Sequence, residues 1–299
     1  MAVITNVTPS PSKHATTLGV ACGAGAALCW ALGFVAARHG IIAGVSPFVL
    51  ALHRYFWPGV ALLPFVVANG FHDLGGIGWA RGFVLALFGG LPLALLAYLG
   101  YVYVPLGHGA VIQPSCAALG GMVLARFVLK EPLPARRIAG GLAMVAGLCV
   151  IGAEASRTIG AHGIGGDLLF VAAGGFFAMF GMLVRLWRVP AMRSVAITSV
   201  LSLVAVPILL FRLDNLLAAG FAENLLQAVI QGALAGAAAT YLFTRAVVLL
   251  GASRAVLFPS LVPPFVLLLG FIALGEVPTV PQLAGLVIVL IGFRLTQKG

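Results

Sequence analysis

Charge is scarce in this sequence: 8% of its 299 residues are Asp, Glu, Lys or Arg, and only seven are acidic. With 62% hydrophobic residues and a mean hydropathy of +1.14, too few polar side chains remain to cover a water-soluble globule, so the solvent is lipid. Cysteine is rarer still. Cys22, Cys29, Cys116 and Cys149 all lie in apolar runs without CxxC spacing, which favours small hydrophobes over metal ligands or disulfides. No Asp or Glu falls in the middle of an apolar run. A proton-driven exporter of cations normally needs such a carboxylate, so its lack points to a neutral, zwitterionic or anionic cargo and to facilitative or weakly proton-coupled movement.

Long hydrophobic runs are what the chain has instead. A span takes about 20 apolar residues, and the runs fall at about 17 to 37, 48 to 69, 80 to 100, 106 to 128, 136 to 153, 166 to 187, 194 to 212, 224 to 247, 255 to 274 and 281 to 297. Residues 1–16 form a polar tail before the first of them. With that tail on the cytoplasmic side, 13 of the 17 Lys and Arg residues face inward, and only Arg38, Arg54, Arg157 and Arg212 face outward. The net charge of +10 is therefore a topology signal directed at the inner leaflet, with no nucleic-acid partner implied. Both termini are expected in the cytoplasm of a bacterial cell, with the chain in its inner membrane.

The stretch Ala110 to Gly147 returns as Ala255 to Gly292 at a constant offset of 145 residues, with ten identities in 38 positions, where roughly four would arise by chance. Pro114-Ser115 recurs as Pro259-Ser260, Glu131 as Glu276, Ala139-Gly140 as Ala284-Gly285 and Gly147 as Gly292. Five spans per half is an odd number, so the second half enters the bilayer from the opposite side. The expected fold is an all-α membrane protein of ten transmembrane helices in two inverted five-helix repeats, an architecture that serves inward and outward gates around a midplane site.

Candidate site residues follow from what is polar or aromatic at depth. Arg54 lies about 10 Å below the outer edge by helical rise; it either holds a substrate carboxylate or snorkels to the interface. Gln113, Ser115, Tyr241 and Ser260 either orient a zwitterion or bond neighbouring helices, and Tyr98 is matched to Tyr241 where the repeat fades upstream, at a slightly different offset. Trp30, Phe34, Phe177 and Phe180 either line an aromatic pocket or pack against other helices, whereas Trp79, Trp187, Tyr101 and Tyr103 are expected in the interfacial belt. Pro114, Pro259, Pro263 and Pro264 are candidate hinges, with static kinks as the alternative. Gly19/Gly23 and Gly232/Gly236 read as packing positions.

An enzyme is the rival class. There is no HExxH, and Gly23-Ala24-Gly25 has a dinucleotide look but no preceding strand, so no cofactor is expected. Gly251-Ala252-Ser253 resembles the serine turn of intramembrane proteases, but all six histidines precede it.

The run Leu106-Gly107-His108-Gly109-Ala110-Val111-Ile112-Gln113-Pro114, then Lys130-Glu131-Pro132-Leu133 and Ala139-Gly140, resembles the EamA repeat of the drug/metabolite transporter superfamily. A second copy runs from Leu250 through Pro259, Gly275-Glu276 and Ala284-Gly285. The resemblance implies a first repeat over 17–153 and a second over 166–297, with a central cavity lined by the first, third, fourth, sixth, eighth and ninth helices. Overall the chain is most similar to the YddG-type branch, exporters of aromatic and other neutral amino acids by alternating access. A small-molecule amino acid and membrane lipids are the implied partners, and a monomer is compatible with the sequence.

Overall fold

The computed structural model describes residues 13–128, 130, 134–158, 160–207, 211–250 and 258–297, and every regular element among them is helical. In chain order these are α1 (Lys13–Ile42), α2 (Pro47–Ala68), α3 (Trp79–Gly89), α4 (Leu91–Tyr103), α5 (Leu106–Val128), α6 (Ala135–Thr158), α7 (Ala161–Leu186), α8 (Ala191–Ser202), α9 (Leu213–Ala218), α10 (Gly220–Gln227), a π-helical segment (Ala228–Ala238), α11 (Ala239–Leu250), α12 (Val262–Leu274) and α13 (Val280–Gln297). Among the described residues, six stretches are long and apolar enough to cross a membrane: His14–Ile42, Pro47–Ala68, Trp79–Tyr103, Leu106–Val128, Ala161–Leu186 and Gly220–Leu250. Shorter apolar helices occupy Met192–Ala205, Val262–Leu274 and Val280–Leu295.

Local chemistry sets the boundaries. The Ser46 hydroxyl accepts from Val49 N and Pro47 opens α2, so the first turn starts with a satisfied donor and a fixed φ. The third apolar run breaks at Gly90, just before Pro92, because a Cβ at Gly90 would collide with the Ala86 carbonyl and a proline amide cannot donate. Pro263 and Pro264 stand in the first turn of α12, after a 3-10 turn over Phe258–Leu261, so here the prolines start a helix instead of bending its interior. Pro114 does lie inside α5. Pro259 falls in the 3-10 turn, and the Ser260 side chain, Glu131 and Gly251–Ser253 lie outside what is described.

The bundle has two distinguishable ends. Arg38, Tyr101, Leu106 and Glu276 meet at one, and Gly75, Arg81, Trp187 and Arg193 at the other, with Trp79–Tyr103 running between them. The core is richest toward the Glu276 end, where Leu106 to Ile112 of α5 are all buried beside Tyr98, Tyr101 and Phe170. The most extensive pairings are α6 with α13, α5 with α7, α1 with α11 and α2 with α8. Glycine permits the closest of them. A Cβ at Gly147 would lie 2.7 Å from the Gly285 carbonyl, and one at Gly292 would lie 2.6 Å from the Gly140 carbonyl. Gly19, Gly23, Gly232 and Gly236 likewise carry Leu250, Phe258, Trp57 and Pro58 against their backbones, which is the packing role expected for them.

Asp167, at the start of the sixth expected span, is buried in the second turn of α7, which begins at Ala161. Two expectations are corrected. Tyr101 is not in an interfacial belt but fully buried, its ring 4.8 Å from Phe170 and edge-on to Phe34. Cys149 is exposed on α6, so it does not fill a core gap.

Candidate functional site

The polar centre of the bundle is built on α1, α2, α4 and the π segment. Gln227 and Gln231, one turn apart, both turn toward α1: Gln227 donates to Ala36 O at 2.8 Å and Gln231 donates to Gly33 O at 2.7 Å. A carbonyl already used in its own helix has a second lone pair for such a bond, and Gly33, facing Ala235, lets the π segment approach. The Gln231 amide oxygen accepts from the Tyr98 hydroxyl at 3.0 Å, so the glutamine fixes α4 relative to α1. Beside it, the Tyr55 hydroxyl donates to Gly89 O at 2.9 Å, at the break between α3 and α4.

Arg54 points into this cluster. Its Nη1 lies 3.4 Å from Gln231 O, and its guanidinium adjoins the hydroxyls of Tyr55 and Tyr98. The arginine therefore does not snorkel. Among the described residues it forms no ion pair, which leaves most of its five donors without a strong acceptor. An arginine at mid-helix costs about 2.5 to 3.5 kcal/mol to insert, so an unpaired one has a large free energy to regain from an anion. Gln227 and Gln231 stand out in sequence as two of the few polar residues within an apolar run, without a role assigned to either, whereas Tyr55 is not singled out there.

The structure brings Arg54 and Tyr98 together, with Trp30 and Phe34 flanking Gly33 on α1. Trp30 packs on Phe243 at 5.4 Å, and Phe34 on Tyr101 at 6.4 Å. Gln113, Ser115, Phe177 and Phe180 form a separate set along α5 and α7, where Ser115 is buried and the Gln113 amide oxygen is buried without a partner. Phe180 closes over Gly89. Tyr241 joins neither set: it is 58% exposed, on the side of α11 away from Ala239 and Ala246.

The model of the EamA-like transporter family matches the chain twice, over residues 17–153 and 164–296. The chain belongs to the EamA-like transporter family. Members of this family are membrane transporters of small molecules and not enzymes, so the chain is a multi-pass membrane protein. One solved structure, described only as "Crystal structure of protein", aligns with a TM-score of 0.58 at 18% identity, covering 95% of this chain and 98% of that one. The likeness is one of fold. No curated protein matches the chain.

Above the polar centre, this EamA-like chain is closed by an ion pair. Arg38 Nε donates to Glu276 Oε1 at 2.8 Å, and Arg38 Nη1 donates to Tyr101 O at 2.6 Å. Glu276 Oε2 accepts from Leu106 N at 2.8 Å, so one carboxylate caps α5 and also holds the end of α1. These groups border a shallow cleft of about 270 Å³. Nearby, His108 Nδ1 and Asp167 Oδ1 lie 3.0 Å apart between α5 and α7. On the α2 side, Trp57 donates to His53 Nδ1 at 3.0 Å, which leaves Nε2 to donate to Asn224 Oδ1 at 3.0 Å.

Proposed function

We propose that the chain exports amino acids, aromatic and other neutral ones, across a bacterial inner membrane by alternating access. On this reading ten spans form two inverted repeats of five with both termini in the cytoplasm, and the Glu276 end faces outward. Two observations favour that arrangement. Bonds that join distant segments at one end, such as Ser46 N to Asn215 Oδ1 at 2.8 Å and Arg193 Nη1 to Gly75 O at 2.6 Å, always enclose an even number of the expected spans. The close contacts of α6 with α13 are also reciprocal, since Gly140 meets Gly292 and Gly147 meets Gly285, and these are each other's counterparts in the duplicated window.

The observation that carries the substrate reading is the unpaired Arg54 guanidinium beside Tyr98 and Gln231. A substrate carboxylate supplies the missing acceptor, and the Trp30 and Phe34 rings on α1 offer an apolar surface for a side chain. Pro114 and Pro259 stand at equivalent places in the duplicated windows and are the proposed hinge points, with Pro263 and Pro264 one turn beyond the second. The rival is a carrier of organic anions, favoured by the lack of any carboxylate paired with Arg54 among the described residues to receive an ammonium group.

Efflux of labelled phenylalanine or methionine from proteoliposomes tests this. The expected result is saturable movement that Arg54→Gln lowers by about a hundredfold in kcat/KM, the equivalent of a charge-assisted pair lost at depth, and that Trp30→Ala also slows. Movement of simple carboxylates but no amino acid would replace the amino acid reading with the organic-anion one. Movement of neither would end both.

A further inference from the structure

We propose that His108 and Asp167 form a proton-binding site whose occupancy controls opening of the Glu276 end. The control of an opening rests on the transporter reading, whereas the binding of the proton does not. His108 stands in the first turn of α5 at 1% exposure, and Asp167 in the second turn of α7 at 8%. Their Nδ1 and Oδ1 atoms are 3.0 Å apart, and Asp167 Oδ2 is buried with no hydrogen-bond partner. Asp167 opens the sixth expected span, 166 to 187, and the fold sets it against His108 at the start of the fourth.

With a neutral imidazole, Nδ1–H donates to the carboxylate and the pair carries one negative charge. A buried, unneutralised charge with an oxygen lacking a donor is costly in a medium of low dielectric constant. One proton taken from water onto Nε2 makes the imidazolium–carboxylate pair, whose net charge is zero. The two states differ by that proton alone, and histidine is the side chain that makes this exchange between about pH 5 and 8.

Among the described side chains, the other titratable groups at this end of the packed elements are Arg38 of α1, Tyr101 and Tyr103 of α4, Glu154 of α6, His162 of α7, and Glu276 after α12; the Arg157 side chain lies outside them. Arg38 and Glu276 neutralise each other, and His162 is stacked on Tyr103. The residues of α12 are all apolar, and α13 contributes the neutral Gln282 beside Gly107. Among the described side chains, the partner set against Asp167 is His108.

The pair is joined to the polar centre through α4. Gly166, next to Asp167, is pressed on Tyr103, Val104 and the Gly100 carbonyl; Gly109, next to His108, is pressed on Tyr101 and Phe170. One turn earlier on α4, Tyr98 holds Gln231. Charging the pair favours water between α5, α7 and α4, which loosens this end; neutralising it favours the packed state.

The test uses full-length protein in one orientation in sealed proteoliposomes, with Cys22, Cys29, Cys116 and Cys149 replaced by serine and a reporter at Phe34→Cys. Labelling by an impermeant thiol reagent added at the Glu276 face, divided by the reagent's rate with a free small thiol at the same pH because the thiolate is the reactive form, is expected to be about threefold faster at pH 8.5 than at pH 5.5. Asp167→Asn should abolish the pH dependence, and His108→Asn provides a second route to the same result. Carbon-13 histidine spectra should show the His108 resonance moving across that range in the parent. A His108 resonance that stays fixed overturns the proton site. A resonance that titrates while labelling ignores pH overturns the control of opening. Neither readout needs a substrate, so failure of amino acid efflux would strike the transport reading and leave this result standing.

Discussion

Phe170 and Phe177 stand two turns apart on one face of α7, yet the first is 0% exposed and the second 51%. The difference lies in what covers each ring: Tyr101 and the glycines Gly100 and Gly109 enclose Phe170, whereas the contact with α5 runs on through Gly174 and Ala178, the latter 2.9 Å from a Cβ built on Gly120, and leaves the Phe177 ring outside it. Tyr98 and Tyr241, at similar places in the two halves, repeat the contrast: one is buried and bonded to Gln231, the other open. Contacts tie both ends of the molecule: the Arg38–Glu276 pair at one, and Arg193 on the Gly75 carbonyl with Arg81 over Trp187 at the other.

The comparison breaks most severely if the Glu276 end is made permanently closed. Cross-linking Arg38→Cys to Glu276→Cys with a short bifunctional thiol reagent should reduce efflux to that of empty liposomes and recover on reduction; unchanged efflux would show that this end need not open. Next in size, Phe170→Ala should cost about 3 to 5 kcal/mol, and Phe177→Ala under about 1 kcal/mol, read as the drop in thermal unfolding midpoint in detergent. Equal losses would mean that Phe177 is packed in the native state. Gly292→Leu should destabilise by about 1 to 3 kcal/mol, because Gly140 O and Met144 leave its Cβ no room, while Gly181→Ala, with nothing within 4 Å, should be neutral or stabilise by up to about 1 kcal/mol. The smallest effect expected is that of Glu276→Gln, which keeps the acceptor for Leu106 N and loses only the charge. It should shift stability by no more than about 1 kcal/mol while raising reagent access from that end.

Much of the fold was legible because lipid leaves few choices: apolar length marks a span, and glycine or proline marks its end. The duplicated window, with Glu276 as the mate of Glu131, and the candidate role of Arg54 are legible in the same way. Asp167 was not legible, since a carboxylate beside a glycine-rich stretch looks like a surface break until His108 is known to face it from another helix. The role of Gln231 was hidden for a similar reason: it comes from three partners on α1, α2 and α4, none of them near it in sequence. Tyr98 and Tyr241 share a sequence context and differ in surroundings, which depends on the elements packed against each and not on composition.

The seam between α6 and α13 has the exchange symmetry of an isologous dimer contact. Swapping each glycine for its counterpart 145 residues away turns the Gly140 to Gly292 contact into the Gly147 to Gly285 contact, so the seam maps onto itself. A surface of that kind is complementary to an inverted copy of itself and needs no second, specialised partner. On the inverted-repeat reading, half of this chain already carries a complete docking face for the other half.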